Sequence, residues 1–188
     1  MNTKKFLTVV FVMLIFVLTV FLTGCGRGEV AFEEPLPSFS ELIGSGNFDD
    51  VSLTIYYKNF LVLTRIPVSL ELLTGGWYDY RIVVGGEELA EHRELLNRLS
   101  NVEPAWAEPE AIVNARLYYV FEHEKYGEIF SFVAHGFHRD SSNIVVFVNG
   151  REAKDDRIFY EAVLPFLPET AVGTIQTVIN ATWPAMCE

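Results

Sequence analysis

The sequence predicts a single α+β domain, a mainly antiparallel sheet of about five to seven strands packed with two or three helices. Three observations predict it. Val51–Tyr57 alternates apolar and small polar residues with period two. Glu124–Gly127 and Asn149-Gly150 are turn signals, each flanked by runs rich in β-branched and aromatic residues. Glu87–Leu99 instead repeats leucine at helical spacing.

In chain order, residues 26–50 hold six Gly or Pro with acids between them, a composition suited to a tether. Within it Ser38 can N-cap one helical turn that docks Phe39, Leu42 and Ile43 on the domain. The globular domain is expected to cover 51–188. Val51–Tyr57 is its first strand, Lys58-Asn59 a turn and Phe60–Arg65 the hairpin partner, stopped by Pro67. Ser69–Leu73 reads as a short helix before Gly75-Gly76, and Tyr78–Val84 as a third strand.

Glu87–Leu99 begins with acids and carries Leu89, Leu95, Leu96 and Leu99, so it reads as one helix. Asn101–Glu110, with two prolines, is a loop. Asn114–Glu122 and Glu128–His135 form a hairpin in which Gly127 supplies the positive φ. Pairing Glu124 with Gly127 sets Tyr119 opposite Phe132 and Phe121 opposite Phe130. Gly136–Asn143 returns the chain to a strand over Asn143–Val148, and a type I′ turn at Asn149-Gly150 leads to a short strand over Arg151–Lys154. Asp155 or Asp156 caps a helix through Leu164 that ends near Pro165 and Pro168. Ala171–Ile179 suits either an amphipathic helix or a strand. Because several strands are apolar on both faces, helices are expected on one side and a partial cover, from the C-terminal segment, on the other.

Ahead of the domain, Lys4 and Lys5 precede Phe6–Phe21, a run without charge, Gly or Pro. About sixteen such residues make roughly 24 Å of helix, short of a ~30 Å hydrocarbon core, so a secretory signal is favoured over a permanent span. The run ends in Leu22-Thr23-Gly24-Cys25. This tetrad, an aliphatic residue and two small residues before cysteine, is similar to the lipobox of bacterial lipoproteins. The resemblance covers residues 1–25 alone. It implies cleavage between Gly24 and Cys25, diacylation of the Cys25 thiol, and anchorage of the mature chain on the extracytoplasmic face of a cell membrane.

Removing 1–24 takes away two lysines and no acid, so a formal charge of −11 becomes more negative by two. An acidic domain lacks the basic footprint that nucleic acid requires, and no nucleic-acid partner is expected. The chain has two cysteines; lipidation of Cys25 leaves Cys187 without an intramolecular partner, so no disulfide is expected.

Motifs for chemistry are sparse. His135 and His138 stand three residues apart beside Arg139 and Asp140. A strand-to-loop spacing of three does not converge donors as i, i+4 on a helix does, so no metal is expected and both belong to an exposed polar loop. No G-x-S-x-G, G-x-x-x-x-G-K or G-x-G-x-x-G occurs, and paired acids such as Glu87-Glu88 and Asp155-Asp156 read as solvated caps. No catalytic residue and no cofactor follow. Among the aromatics, Tyr118 and Tyr119 are assigned to packing, while Trp77 and Trp106, beside Gly and Pro in loops, are the candidate contacts for a ligand, with His135 and His138. The function expected is a non-catalytic binding or accessory domain whose partner is an envelope protein or glycan. The alternative is an envelope hydrolase whose acids converge only in three dimensions. About 160 residues are too few for a two-lobed solute receptor.

Overall fold

The structure is a computed structural model that describes residues 37–106, 114–136 and 144–183. The compact unit begins at Pro37 and so takes in the end of the stretch read as tether. Ser38 forms a full capping box: its hydroxyl accepts from the Glu41 amide at 3.3 Å and its own amide donates to the Glu41 carboxylate at 2.7 Å. That fixes helix α1, Phe39–Ser45, whose Phe39 and Ile43 enter the core. Gly46, at φ 74°, ends it in the left-handed region.

Among the described residues, six strands make one antiparallel sheet in the order β2-β1-β3-β4-β5-β6. They are β1 Val51–Tyr57, β2 Tyr80–Val84, β3 Ala115–His123, β4 Gly127–His135, β5 Val146–Val148 and β6 Arg151–Ala153. The α+β class is therefore the observed one. Helices α2 Leu70–Thr74, α3 Gly86–Glu91, α4 Arg93–Ser100, α5 Arg157–Glu161 and α6 Glu169–Thr182 complete the layer, with a 3-10 turn at Leu164–Phe166. The ambiguous C-terminal segment is thus helical.

The aromatic ladder pairs Tyr119 with Phe132 and Phe121 with Phe130, as the sequence predicts. Its closing pair is His123 with Gly127, one residue short of that expected, and a bulge between Phe121 and Glu122 restores the register. At the next turn Asn149 (φ 49°) and Gly150 (φ 73°) are both left-handed, the type I′ requirement. Asn149 also anchors the hairpin to β4, since its side-chain oxygen accepts from the Ser131 amide at 2.8 Å.

Three expectations are corrected. Phe60–Arg65 is not a strand: both hydrogen-bonding edges of β1 are filled by β2 and β3, and Asn59 bends the chain across the sheet end by accepting the Leu61 amide at 2.8 Å. The helix over Glu87–Leu99 breaks at His92 into α3 and α4. The C-terminal helix packs in the main core, where Ala171, Ile175, Val178 and Ile179 join Leu53, Ile55, Tyr119 and Phe132. Partial cover of the opposite face comes instead from α2, whose Leu73 packs with Val68 and Ala115 beneath Tyr56 and Tyr118.

The β2–α3 junction depends on a glycine for space. A methyl group on Gly86 would overlap the carbonyl oxygen of Phe48. Gly86→Ala is therefore expected to lower stability by about 2 kcal/mol in urea unfolding. Gly173→Ala, in α6 with open space around the added carbon, should instead raise it by about 0.5 kcal/mol.

Candidate functional site

Alternation along the strands sends Tyr56, Arg81, Tyr118 and Val133 to the face away from the main core. On that face three rings gather. Tyr56 stacks on Tyr118 at 5.8 Å and meets Tyr78 edge-on at 5.7 Å, while the Arg81 guanidinium lies over the Tyr56 ring at 5.6 Å. Arg81 Nε also donates to the Tyr56 hydroxyl at 3.3 Å, which fixes the cation over the ring. Burial, with the nearby Glu128 and Glu122 charges, pushes the Tyr118 hydroxyl up to about 12. Tyr118 therefore stays neutral through the physiological range, and each of the three rings carries a hydroxyl beside an apolar surface.

Beside them, at the end of the sheet reached by β1, lies an apolar rim. Leu61, Val62, Leu63 and Ile66 are exposed, Leu63 at 83%, and Trp77 is 44% exposed on the neighbouring loop. Asp79 ties the two loops together, accepting from Lys58 Nζ at 2.7 Å and from the Asn59 amide at 2.8 Å. Burial alone would raise the Asp79 carboxyl; the Lys58 ammonium and the Asn59 amide outweigh it and hold the group below its ordinary value. A cluster of aliphatic side chains left in water is the usual mark of an interaction surface.

The sequence candidates do not converge. Trp77 precedes the edge strand β2, whereas Trp106 bridges to Ala153 in β6 at the opposite edge. Five strand spacings of ~4.8 Å separate those edges by roughly 24 Å, too far for one small-ligand platform. Trp106, 43% exposed, is occupied by the Arg151 guanidinium 4.3 Å above its ring. His135 is 3% exposed, not on the exposed loop expected: its Nδ1 accepts from the Asn114 amide at 2.8 Å and its ring lies against Phe147. Gly24, Cys25, His138 and Cys187 lie outside the described residues.

An open cleft of 570 Å³ lies at the break between α3 and α4, lined by Glu91, His92, Glu94, Leu95 and Arg98. The Arg98 guanidinium pairs with Glu161 at 3.6 Å and the His92 ring stands edge-on to Phe166. Among the described residues, no three His, Cys, Asp or Glu side chains are placed to share a metal ion.

Sequence reasoning missed two titratable residues in unusual environments, Arg116, which is buried, and Asp155, which is partly so. Arg116, in β3, is 2% exposed. Asp155, read as a helix cap, receives the Tyr160 hydroxyl at 3.1 Å; burial raises its carboxyl to about 7 although that hydroxyl and the Asp156 amide pull it down. The cap itself is Asp156, accepting from the Ile158 amide at 3.0 Å. Arg116 lies between Ala115 and Leu117, and a cation flanked by apolar residues in a strand is the one signal the sequence offered. Compared with protein-family models, curated proteins and solved structures, the chain matches none.

Proposed function

We propose that this chain is a lipoprotein of a bacterial cell envelope, held by acyl chains on Cys25 at the extracytoplasmic face of the membrane. Its domain binds another envelope protein and performs no catalysis. The single observation that carries the binding role is the rim Leu61–Ile66 with Trp77, an apolar surface beside the Tyr56, Tyr78 and Tyr118 rings. A protein surface is favoured over a glycan because the rim is aliphatic and the two candidate tryptophans sit at opposite edges of the sheet.

Position supports the same reading. Phe39 packs against Phe121 and Phe130, beside the β3–β4 turn, so the chain enters the domain at one end of β1. The rim follows the other end, roughly 23 Å away along seven residues.

Anchorage by two acyl chains draws on ~0.8 kcal/mol for each buried CH₂. Cys25→Ala removes the acceptor thiol. The variant is expected to remain unprocessed, keeping Lys4, Lys5 and the apolar run after them and taking up no acyl chain; processing and acyl incorporation that survive the substitution would exclude lipidation at this residue.

A further inference from the structure

We propose that Arg116 is the receptor for an oxyanion, a carboxylate or phosphate group of a small ligand, admitted beneath the segment 60–68. Arg116 is 2% exposed, and among the described residues its Nε and Nη1 have no hydrogen-bond acceptor. Nη2 donates to the Thr64 hydroxyl at 3.2 Å. A buried cation in this state is costly, and an opposing anion is what relieves it.

Asp79 does not fill that role. It acts on Arg116 through space, while its oxygens already accept from Lys58 and Asn59. Asn114 adds a second donor. Its side-chain oxygen is committed to the Val68 amide at 3.1 Å, which leaves Nδ2 on the side of Arg116. A Cβ at Gly136 would fall 2.9 Å from Arg116 Nε and 3.4 Å from Asn114 Nδ2. The absence of a side chain at Gly136 thus lets Arg116 and the Asn114 amide lie close against the same stretch of backbone. Charge-assisted donors of this kind match carboxylate and phosphate oxygens.

Access follows from how the covering segment is held. Phe60 and Val68 are buried at its ends, but Leu61, Val62, Leu63 and Ile66 between them point to solvent. Little apolar burial holds the middle down, so it opens at small cost.

The test is thermal unfolding of the full chain in detergent, in chloride and in phosphate or acetate of equal ionic strength. Wild type is expected to show a saturable rise in midpoint of roughly 5 °C with one of the two anions. Arg116→Met should melt higher than wild type in chloride, having lost an unpaired buried charge, and should show no saturable rise. Gly136→Ala, whose added carbon would meet Arg116 Nε and Cγ and so pushes the guanidinium from its place while keeping its charge, should weaken the apparent anion affinity by about tenfold or more. Three results overturn the proposal: a wild-type midpoint that neither anion moves, a rise shared equally by Arg116→Met, which is the general effect of an excluded salt, or Arg116→Met melting lower than wild type in chloride, which would mean that an acid of the chain itself pairs with the guanidinium. Should Arg116→Met fail to fold, the wild-type titration and Gly136→Ala decide the matter.

Discussion

Phe132→Ala is expected to lower the stability of the domain by about 4 kcal/mol. Phe132 is fully buried in β4, where its ring lies 5.1 Å from Tyr119 in β3, 4.9 Å from Phe159 and 5.7 Å from Tyr160 in α5. One side chain thus joins two strands to a helix. Truncation leaves a ring-sized cavity and removes stacked and edge contacts that are worth more than the buried area alone. Against a total stability of roughly 5 to 15 kcal/mol, the loss should lower the melting midpoint by about 10 °C. Phe147→Ala is the control, since this half-buried ring lies on the opposite face one strand away. It should cost no more than about 1.5 kcal/mol. Urea unfolding that ranks the two variants in the reverse order would place the core on the wrong side of the sheet.

Asp155→Asn is expected to stabilise the protein above neutral pH and to leave it nearly unchanged in acid. The folded carboxyl is raised from 3.8 to about 7 by burial. Between those values the folded state binds the extra proton, so stability is fully present at low pH and falls as pH rises through the window. At 1.36 kcal/mol for each pKa unit, the ionised carboxylate costs on the order of 4 kcal/mol above pH 7. Asparagine keeps an oxygen for the Tyr160 hydroxyl and carries no charge to bury. The difference between variant and wild type cancels every other group, including Asp79 and Glu41, whose lowered values act in the opposite sense. The variant-minus-wild-type free energy of urea unfolding should therefore grow by about that amount between pH 4 and pH 8, and a gap independent of pH would show that Asp155 is not the titrating group.

Much of the sheet was legible in local sequence because its instructions are local. The period-two alternation of Val51–Tyr57, the aromatic ladder around Gly127 and the Asn149-Gly150 turn each specify their own geometry. The bulge at Phe121–Glu122 was not legible, because it depends on how the turn closes. Phe60–Arg65 reads as a hairpin partner in sequence and still forms no strand. The partner for the outer edge of β1 is Tyr80–Val84, more than twenty residues later in sequence, and only the assembled sheet decides which segment takes that edge.

The same limit applies to the candidate site. Exposure of Leu61–Ile66 follows from that lost pairing, so no composition-based reading could have found the rim. Arg116 and Asp155 were invisible for a related reason. Their unusual environments are made by residues distant in sequence, Thr64 for one and the surrounding core for the other. The converse error is His135, whose proximity to His138 suggested exposed chemistry and whose position at the end of β4 puts it under Phe147.

The central claim is that the domain is carried on lipid at Cys25, and intact-mass spectrometry of the protein extracted from its native membrane tests it most directly. A chain beginning at Cys25 with the added mass of acyl chains on that residue is the result expected; a chain that retains Lys4, Lys5 and the apolar run after them, with an unmodified Cys25, would contradict it.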